Sequence, residues 1–240
     1  MRDLLRFLRA LPRSLLAALV IYLPGEAGIL LRRRYYARRL GRCGRNLVVM
    51  PGVHIGGAPF VEIGDDVTIR ENVVLHAGAP SGSDTREIVQ IGSYEGRRRG
   101  VIVVKDRARI AFGAVLLGYG GISIGEKCGV GPYAVILSET FHHKGRVPGR
   151  VYKYSQGAAP QELCVLQGFV ELKDGAGVGS KVVVLPGATI GQDSWVSPNS
   201  VVRIGGYIEP DVIAKGDPAA KVFQRTHAAP SGRDDKAGGG

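Results

Sequence analysis

The chain has 240 residues, enough for one main domain with a sizeable core. Aromatic residues make up only 7% of it while glycine occurs 36 times, which favours stacked aliphatic side chains joined by tight turns. The three cysteines, Cys43, Cys128 and Cys164, have no metal-binding or redox spacing. We therefore expect a reduced, cytoplasmic protein without disulfides, in which Cys128 is a core residue.

The positive charge is concentrated at the N-terminus. Residues 1–45 carry a net charge of +9 out of the +11 of the whole chain. Leucines recur there at helical spacing, at positions 4, 8, 11, 15, 19 and 23. This pattern predicts a basic amphipathic helical segment over residues 1–45.

An arginine-rich amphipathic helix is typical of segments that lie on an anionic membrane surface. The apolar run at residues 14–23 is too short to span a bilayer. We expect peripheral membrane contact at the inner face of the membrane, and the alternative is a helical cap over one end of the following domain. No nucleic-acid partner is expected, since no aromatic residues interleave the basic ones and no nucleic-acid motif is present.

A six-residue repeat dominates the rest of the chain. Aliphatic residues occupy positions 172, 178, 184, 190, 196 and 202 without a slip, and the same period relates Ile63, Ile69 and Leu75. A helix has a period of 3.6 residues and a strand a period of 2, so neither explains it. A period of six is typical of a parallel β-helix, in which each repeat is one short side of a coil. The sequence therefore predicts an all-β solenoid over residues 46–224.

Two long polar stretches interrupt the repeat, at residues 78–100 and 141–168. In a solenoid such insertions form loops on one side, and loops of this length are usually functional or disordered. The tail, residues 225–240, has little to bury and is expected to be disordered.

The repeat and the ending VIAKGDPAAKV at residues 212–222 resemble the hexapeptide-repeat acyltransferases, in particular the maltose/polysaccharide O-acetyltransferase-like branch. The resemblance covers roughly residues 45–224 and implies a left-handed parallel β-helix that forms a homotrimer with active sites between subunits. It also implies acetyl-CoA as a co-substrate, without a permanently bound cofactor. The implied reaction is O-acetyl transfer to a sugar hydroxyl of a cell-envelope saccharide or its lipid- or nucleotide-linked precursor.

Acyl transfer from a thioester needs a base for the acceptor proton and donors for the oxyanion. The run GPYAVILSETFHH at residues 131–143 is similar to the family's coil before the catalytic histidine, but one residue longer. His142 and His143 are therefore rival candidates for the base, and Glu139 is the nearest carboxylate that could orient either one. His76 precedes the first insertion and could line a cleft, whereas His54 is expected at the surface.

The resemblance also implies binding residues. For the donor these are Gly179, Ser180, Lys181, Ala214, Lys215 and Gly216, with Lys221 and Arg225 as phosphate partners. The triplet Arg97, Arg98 and Arg99 is a candidate for holding a pyrophosphate of the acceptor. Trp195 could stack on the adenine or pack against another subunit.

Three alternatives stay open at this point. An N-acetyltransferase acting on an amino sugar would use the same base. A metal enzyme similar to the γ-type carbonic anhydrases would need three histidines converging on zinc, and we expect no metal site because their close spacing is missing. A catalytically silent scaffold would bind no acyl-CoA.

Overall fold

The six-residue repeat folds as a parallel β-helix in the computed structural model of the chain, which describes residues 15, 17–78, 85–142, 144–155 and 157–225. A helix at Gly25–Ala37, called the cap helix below, precedes the coils, and short 3-10 helices lie at Ala58–Phe60 and Pro160–Glu162. The strands, in chain order, are β1 (Arg42–Cys43), β2 (Val48–Val49), β3 (His54–Gly56), β4 (Val61–Ile63), β5 (Thr68–Ile69), β6 (Val74–His76), β7 (Glu87–Ile91), β8 (Ile102–Val104), β9 (Arg109–Ile110), β10 (Val115–Leu117), β11 (Ile122–Ile124), β12 (Gly129–Val130), β13 (Val135–Leu137), β14 (Glu139–Phe141), β15 (Cys164–Gly168), β16 (Val170–Leu172), β17 (Gly177–Val178), β18 (Val183–Val184), β19 (Thr189–Ile190), β20 (Trp195–Val196), β21 (Val201–Val202), β22 (Tyr207–Ile208), β23 (Val212–Gly216) and β24 (Ala219–Gln224).

The coils stack into three flat faces. Face 1 has the strand order β1-β4-β8-β11-β16-β19-β22, and face 3 has β3-β6-β10-β13-β18-β21. Face 2 has β2-β5-β9-β12-β17-β20-β23-β24, and all its pairs are parallel except the closing hairpin of β23 and β24. Each coil thus adds one strand to each face, and the first strand of the solenoid begins at Arg42, slightly before the boundary predicted from the repeat.

The aliphatic residues of the repeat fill the inside of the coils. Ile102, Ile122 and Val170 stack in register on face 1, and all three are fully buried. Such stacking removes apolar surface from water along the whole axis, which is the main source of stability for a solenoid. Cys128 is confirmed as a core residue, and burial raises the pKa of its thiol to about 12.

Left-handed backbone conformations turn the chain at the corners between faces. Asn46, Asp66, Asn72 and Asn199 have φ between 54° and 58° at such corners. Asn and Asp adopt this region more readily than other residues with a Cβ, because their short side chains hydrogen-bond locally. Lys181 takes the same conformation, with φ of 57°.

The cap helix closes the N-terminal end of the solenoid. Arg32 is fully buried, and its guanidinium donates hydrogen bonds to the carbonyl of Val49 in β2, at 2.7 Å, and to that of Leu23, at 2.6 Å. The hydroxyl of Tyr36 donates to the carbonyl of Val53 at 2.8 Å. The bonds to Val49 and Val53 satisfy backbone acceptors at the first coil, so the cap helix caps the solenoid, as one of the two sequence interpretations proposed.

The cap also presents apolar side chains to solvent. Leu15, Leu19, Tyr22 and Leu30 are all strongly exposed, and they are called the apolar rim below. Within the residues described, no helix is long and apolar enough to cross a membrane. Residues 1–14, which carry the first part of the leucine pattern, lie outside the described residues.

Both insertions leave the solenoid at the edge between faces 3 and 1, called the 3/1 edge, and they pair with each other there. β7 of the first insertion runs parallel to β15 of the second over five residues, and β14 pairs antiparallel with β15. The segments expected to be polar loops therefore contain a three-stranded sheet, built from apolar runs such as IVQI at residues 88–91. This sheet stands beside the corner at Tyr119, between the coils from which the insertions depart.

Candidate functional site

A cavity of about 470 Å³ lies where the two insertions meet the 3/1 edge. Its floor comes from the third-face strands and the corner after β10, and its walls come from both insertions. The lining residues are Arg86, Leu117, Tyr119, Leu137, Glu139, Thr140, Phe141, Leu163 and Val165. Largely apolar walls with a few convergent polar groups are typical of small-molecule sites.

A charge pair lies at the centre of the cavity wall. The guanidinium of Arg86 donates to a carboxylate oxygen of Glu139 at 2.8 Å, and their side chains are only 21% and 11% exposed. The amide of Gln167, which is fully buried, donates to the other oxygen of Glu139. Two donors from different insertions hold this carboxylate in place. Losing the ion pair would leave an unpaired charge in a mostly buried site, which is costly.

The predicted base lies at the end of the same strand. His142 directly follows β14, and its backbone N–H donates to the carbonyl of Cys164 at 2.9 Å. Its neighbour Phe141 lines the cavity. His143, the rival candidate, lies outside the described residues. The hydrogen bonds of Glu139 go to Arg86 and Gln167, so its role as orienter of a histidine stays a prediction.

A second histidine approaches the cavity from the preceding coils. The hydroxyl of Tyr119, a lining residue, lies 3.2 Å from Nδ1 of His76. This agrees with the expectation that His76 lies beside a cleft. Burial raises the pKa of the Tyr119 phenol, and the Glu139 carboxylate raises this pKa further while Arg86 lowers it. His54 is exposed on β3, as expected.

The residues predicted to contact the acyl donor lie along a different edge of the solenoid from the cavity. Gly179, Ser180 and Lys181 form the corner between β17 and β18, at the edge between faces 2 and 3, called the 2/3 edge. Two coils further on, Ala214, Lys215 and Gly216 end β23 on the same edge. The spacing of stacked strands puts these groups about 9.5 Å apart along the axis.

The two predicted phosphate partners follow on the closing hairpin. Lys221 pairs in register with Ala214, and its ammonium lies 3.2 Å from the carboxylate of Glu209. Arg225 donates a side-chain hydrogen bond to the carbonyl of Asp193. Both side chains are exposed, although each already has a partner within the chain.

The arginine triplet points to three different partners. Arg97 pairs with Glu171 at 3.0 Å and Arg98 with Glu62 at 2.6 Å, and both of these carboxylates belong to face 1. Arg99 donates to the side chain of Gln90 at 3.0 Å. Arg97 and Arg98 thus fasten the first insertion onto face 1, while Arg99 binds within the insertion. The predicted role of the triplet in acceptor binding stays a prediction.

No group of three or more metal-ligating side chains occurs among the residues that the structure describes.

Trp195 is 40% exposed on face 2, beside a shallow groove that Arg109, Gly129 and Val130 also line. The groove belongs to a different face from the cavity.

Comparisons by sequence give no match: no protein-family model and no curated protein is similar enough to the chain. Comparisons by structure do. AntD, an N-acyltransferase from Bacillus cereus solved with dTDP and 3-hydroxybutyryl-CoA, matches with a TM-score of 0.63 at 16% identity, over 81% of this chain and 88% of that one. A point mutant of AntD, solved with dTDP-4-amino-4,6-dideoxyglucose and coenzyme A, matches with a TM-score of 0.64 at 16% identity, over 82% and 90% of the two chains. A putative acetyltransferase of Bacillus cereus matches with a TM-score of 0.51 at 17% identity, over 77% and 80%.

These likenesses confirm the fold class predicted from the repeat. The chain is a left-handed parallel β-helix of the hexapeptide-repeat type, the architecture that these acyltransferases share. The resemblance to the maltose O-acetyltransferase-like branch stays a prediction.

Three residues at the site were not singled out from the sequence: Arg86 and Tyr119, which line the cavity, and Gln167, which donates to Glu139 from behind the wall. Arg86 and Gln167 belong to insertions whose pairing has no local signal, and Tyr119 lies at the corner between β10 and β11. Their one sequence signal is indirect, because both insertions interrupt the repeat at the same corner of the coil.

Proposed function

We propose that the protein is a CoA-dependent acyltransferase that transfers an acetyl group from acetyl-CoA to a sugar hydroxyl. The acceptor is a cell-envelope saccharide or its lipid- or nucleotide-linked precursor. The observation that carries this proposal is the cavity at the 3/1 edge of a hexapeptide-repeat β-helix, walled by the strand that leads into His142. Neighbours with this fold are acyltransferases that were crystallised with coenzyme A or an acyl-CoA.

In the proposed reaction both substrates bind together, so no covalent enzyme intermediate is needed. His142 accepts the proton of the acceptor hydroxyl as its oxygen attacks the thioester carbonyl. Collapse of the tetrahedral oxyanion breaks the carbon–sulfur bond, and the proton passes from the imidazolium to the departing thiolate. His143 is the rival for this role because it is the next residue in the chain.

We also propose that the active assembly is a homotrimer in which face 3 packs against a neighbouring subunit. The outward positions of face 3 include a column of half-buried valines, at positions 74, 115, 135, 183 and 201, which His54 extends on the first coil. Face 1, by contrast, is covered by ion pairs from the first insertion. The cavity and the donor-binding residues flank face 3 on its two edges, so packing there would bring the cavity of one subunit towards the donor edge of another.

The cap supports a further proposal, that the protein associates with the inner face of the membrane. The apolar rim adjoins three exposed arginines at the end of the cap helix and just after it, Arg34, Arg38 and Arg39. Leucines that enter the interface and arginines that attract anionic lipids together give reversible binding.

A second candidate is N-acyl transfer to an amino sugar. It is favoured by the likeness to AntD, an N-acyltransferase of which a mutant was solved with an amino-sugar nucleotide. The two candidates use the same base and differ only in the acceptor atom.

Thermal unfolding with and without millimolar acetyl-CoA tests the proposal first. A ligand at about 100 times its dissociation constant stabilises the folded state by about 2.7 kcal/mol, so the midpoint should rise clearly. Release of free thiol is then measured with saccharide and amino-sugar acceptors. His142→Ala should lower the rate by about 10²- to 10⁴-fold. His143→Ala should have little effect, and Tyr207→Ala, exposed on face 1, is the control.

The absence of any acetyl-CoA-dependent shift in a folded protein would contradict the proposal. A large loss in His143→Ala with normal activity in His142→Ala would exchange the roles of the two histidines.

A further inference from the structure

One lining residue of the cavity is hydrogen-bonded to a histidine, and the proposed reaction does not use this pair. Tyr119 lines the cavity, and its hydroxyl lies 3.2 Å from Nδ1 of His76 and 3.5 Å from Nε2. The two rings lie 5.3 Å apart, so they also pack against each other. The shorter distance makes Nδ1 the partner of the hydroxyl.

The local sequence keeps His76 in this position. His76 stands in register with Gly56 of the preceding coil, and a Cβ on Gly56 would lie 2.6 Å from Cδ2 of the imidazole. The ring therefore occupies space that only glycine leaves open. On the other side, the carbonyl of His76 accepts the backbone N–H of Gly118 at 2.7 Å, which links it to the corner that carries Tyr119.

The charges of the cavity restrict what it can bind. The guanidinium of Arg86 is already neutralised by Glu139, and both groups are mostly removed from water. A phosphate placed there would meet the carboxylate at short range in a poorly solvated site, where like charges repel strongly. Groups that both donate and accept hydrogen bonds fit better, since Glu139 accepts, Arg86 donates and Tyr119 can do either.

We propose that the cavity binds an uncharged sugar ring, that the Tyr119 hydroxyl contacts one of its hydroxyls, and that His76 is the residue that positions Tyr119. With the phenol proton donated to Nδ1 of His76, the Tyr119 oxygen presents its lone pairs to a sugar hydroxyl. The apolar walls, such as Phe141 and Leu163, face the C–H surfaces of the ring. This inference rests on the proposed function and names the part of the acceptor that this cavity recognises.

Binding of sugar probes tests it without knowledge of the natural acceptor. The methyl α-glycosides of glucose, galactose and mannose are titrated by ligand-observed NMR, with inorganic pyrophosphate as the charged probe. At least one glycoside should bind, and Tyr119→Phe should weaken it about fivefold, the effect of one hydrogen bond. Pyrophosphate should not compete with it. Tyr207→Phe is the control, because Tyr207 is an exposed tyrosine on face 1.

A double-mutant cycle separates positioning from a purely structural role of His76. His76→Ala should weaken glycoside binding in the wild-type background and have no further effect in Tyr119→Phe. His76→Asn, which keeps a hydrogen-bond acceptor, should restore part of the loss. Equal effects of His76→Ala in both backgrounds would overturn the assignment of His76.

Two results would overturn the inference as a whole: no glycoside binds, or pyrophosphate displaces the glycoside. Acetyl-CoA stabilisation is measured on the same samples. If acetyl-CoA still stabilises the protein, only this inference fails, whereas its absence would remove the proposed function.

Discussion

Arg32 shows how much the role of one residue depends on its surroundings. In the sequence it is one of eleven arginines in residues 1–45 and belongs to the run that favours membrane contact. In the structure it is fully buried and donates to backbone carbonyls of the first coil and the preceding turn. Burial lowers its pKa, yet hydrogen bonds to carbonyl oxygens stabilise the charged form. The cap is thus held by a buried charge that the sequence presents as a surface charge.

Tyr36 gives a prediction that depends on pH. Burial raises the pKa of its phenol to about 12, above the usual value near 10. Between these values the unfolded chain releases a proton that the folded chain keeps, so the contribution of Tyr36 to stability is complete below pH 10 and is lost as the pH rises towards 12.

Tyr36→Phe removes this titration together with the hydrogen bond to Val53. At pH 8 the variant should be less stable by about 1 kcal/mol, and this difference should shrink steadily above about pH 10. Urea unfolding of both proteins over this pH range measures it. A difference that stays constant with pH would contradict the raised pKa.

At the scale of the coil, glycines decide how closely neighbouring turns can approach. Gly131 and Gly129 lie two residues apart and neither has a positive φ. A Cβ on Gly131 would lie 2.5 Å from the carbonyl carbon of Gly179 in the next coil, whereas a Cβ on Gly129 would meet nothing within 4 Å.

Gly131→Ala should therefore destabilise the protein by about 1–3 kcal/mol, because the backbone of the next coil must move. Gly129→Ala, the matched control, should be neutral or slightly stabilising because it only restricts the unfolded chain. Thermal or urea unfolding compares the two. Equal losses in both variants would mean that close approach of the coils is not the cause.

The coils could be predicted from the sequence because each repeat carries its own signal: an aliphatic residue that points inward every six positions. The three-stranded sheet could not, because β7 and β15 lie more than 70 residues apart and meet only once the coils between them have stacked. The same holds for the pair of Arg86 and Glu139, which crosses from one insertion to the other. For the candidate site, the sequence drew attention to His142 and Glu139 but not to Tyr119.

For the whole molecule, the proposed trimer predicts that face 3 is sensitive to charge. Val183→Lys, in its valine column, should convert the assembly to monomers, because a lysine at the centre of an apolar interface must lose its hydration. Thr189→Lys, at an outward position of face 1, is the matched control and should leave the assembly intact. Sedimentation velocity distinguishes the two. A trimer that survives Val183→Lys would place the interface on another face.

The proposed membrane contact is also a property of the whole molecule, since it needs the cap to be folded. Leu19→Glu combined with Leu30→Glu should lower binding to vesicles that contain phosphatidylglycerol by more than tenfold, because each leucine contributes about 1.5–3 kcal/mol when buried. Val151→Glu, an exposed apolar position in the second insertion, is the control. Vesicle flotation measures it, and unchanged binding of the double variant would exclude the apolar rim.

The pairing of the two insertions also constrains the number of coils between them. Two full coils separate the point where the first insertion leaves from the point where the second does, and Arg86 reaches Glu139 only across that span. One additional coil would move the two insertions about 4.8 Å further apart. The ion pair, whose nitrogen–oxygen distance is now 2.8 Å, would then be broken. The pair of Arg86 and Glu139 therefore requires two coils between the insertions, whereas it places no constraint on the number of coils before or after them.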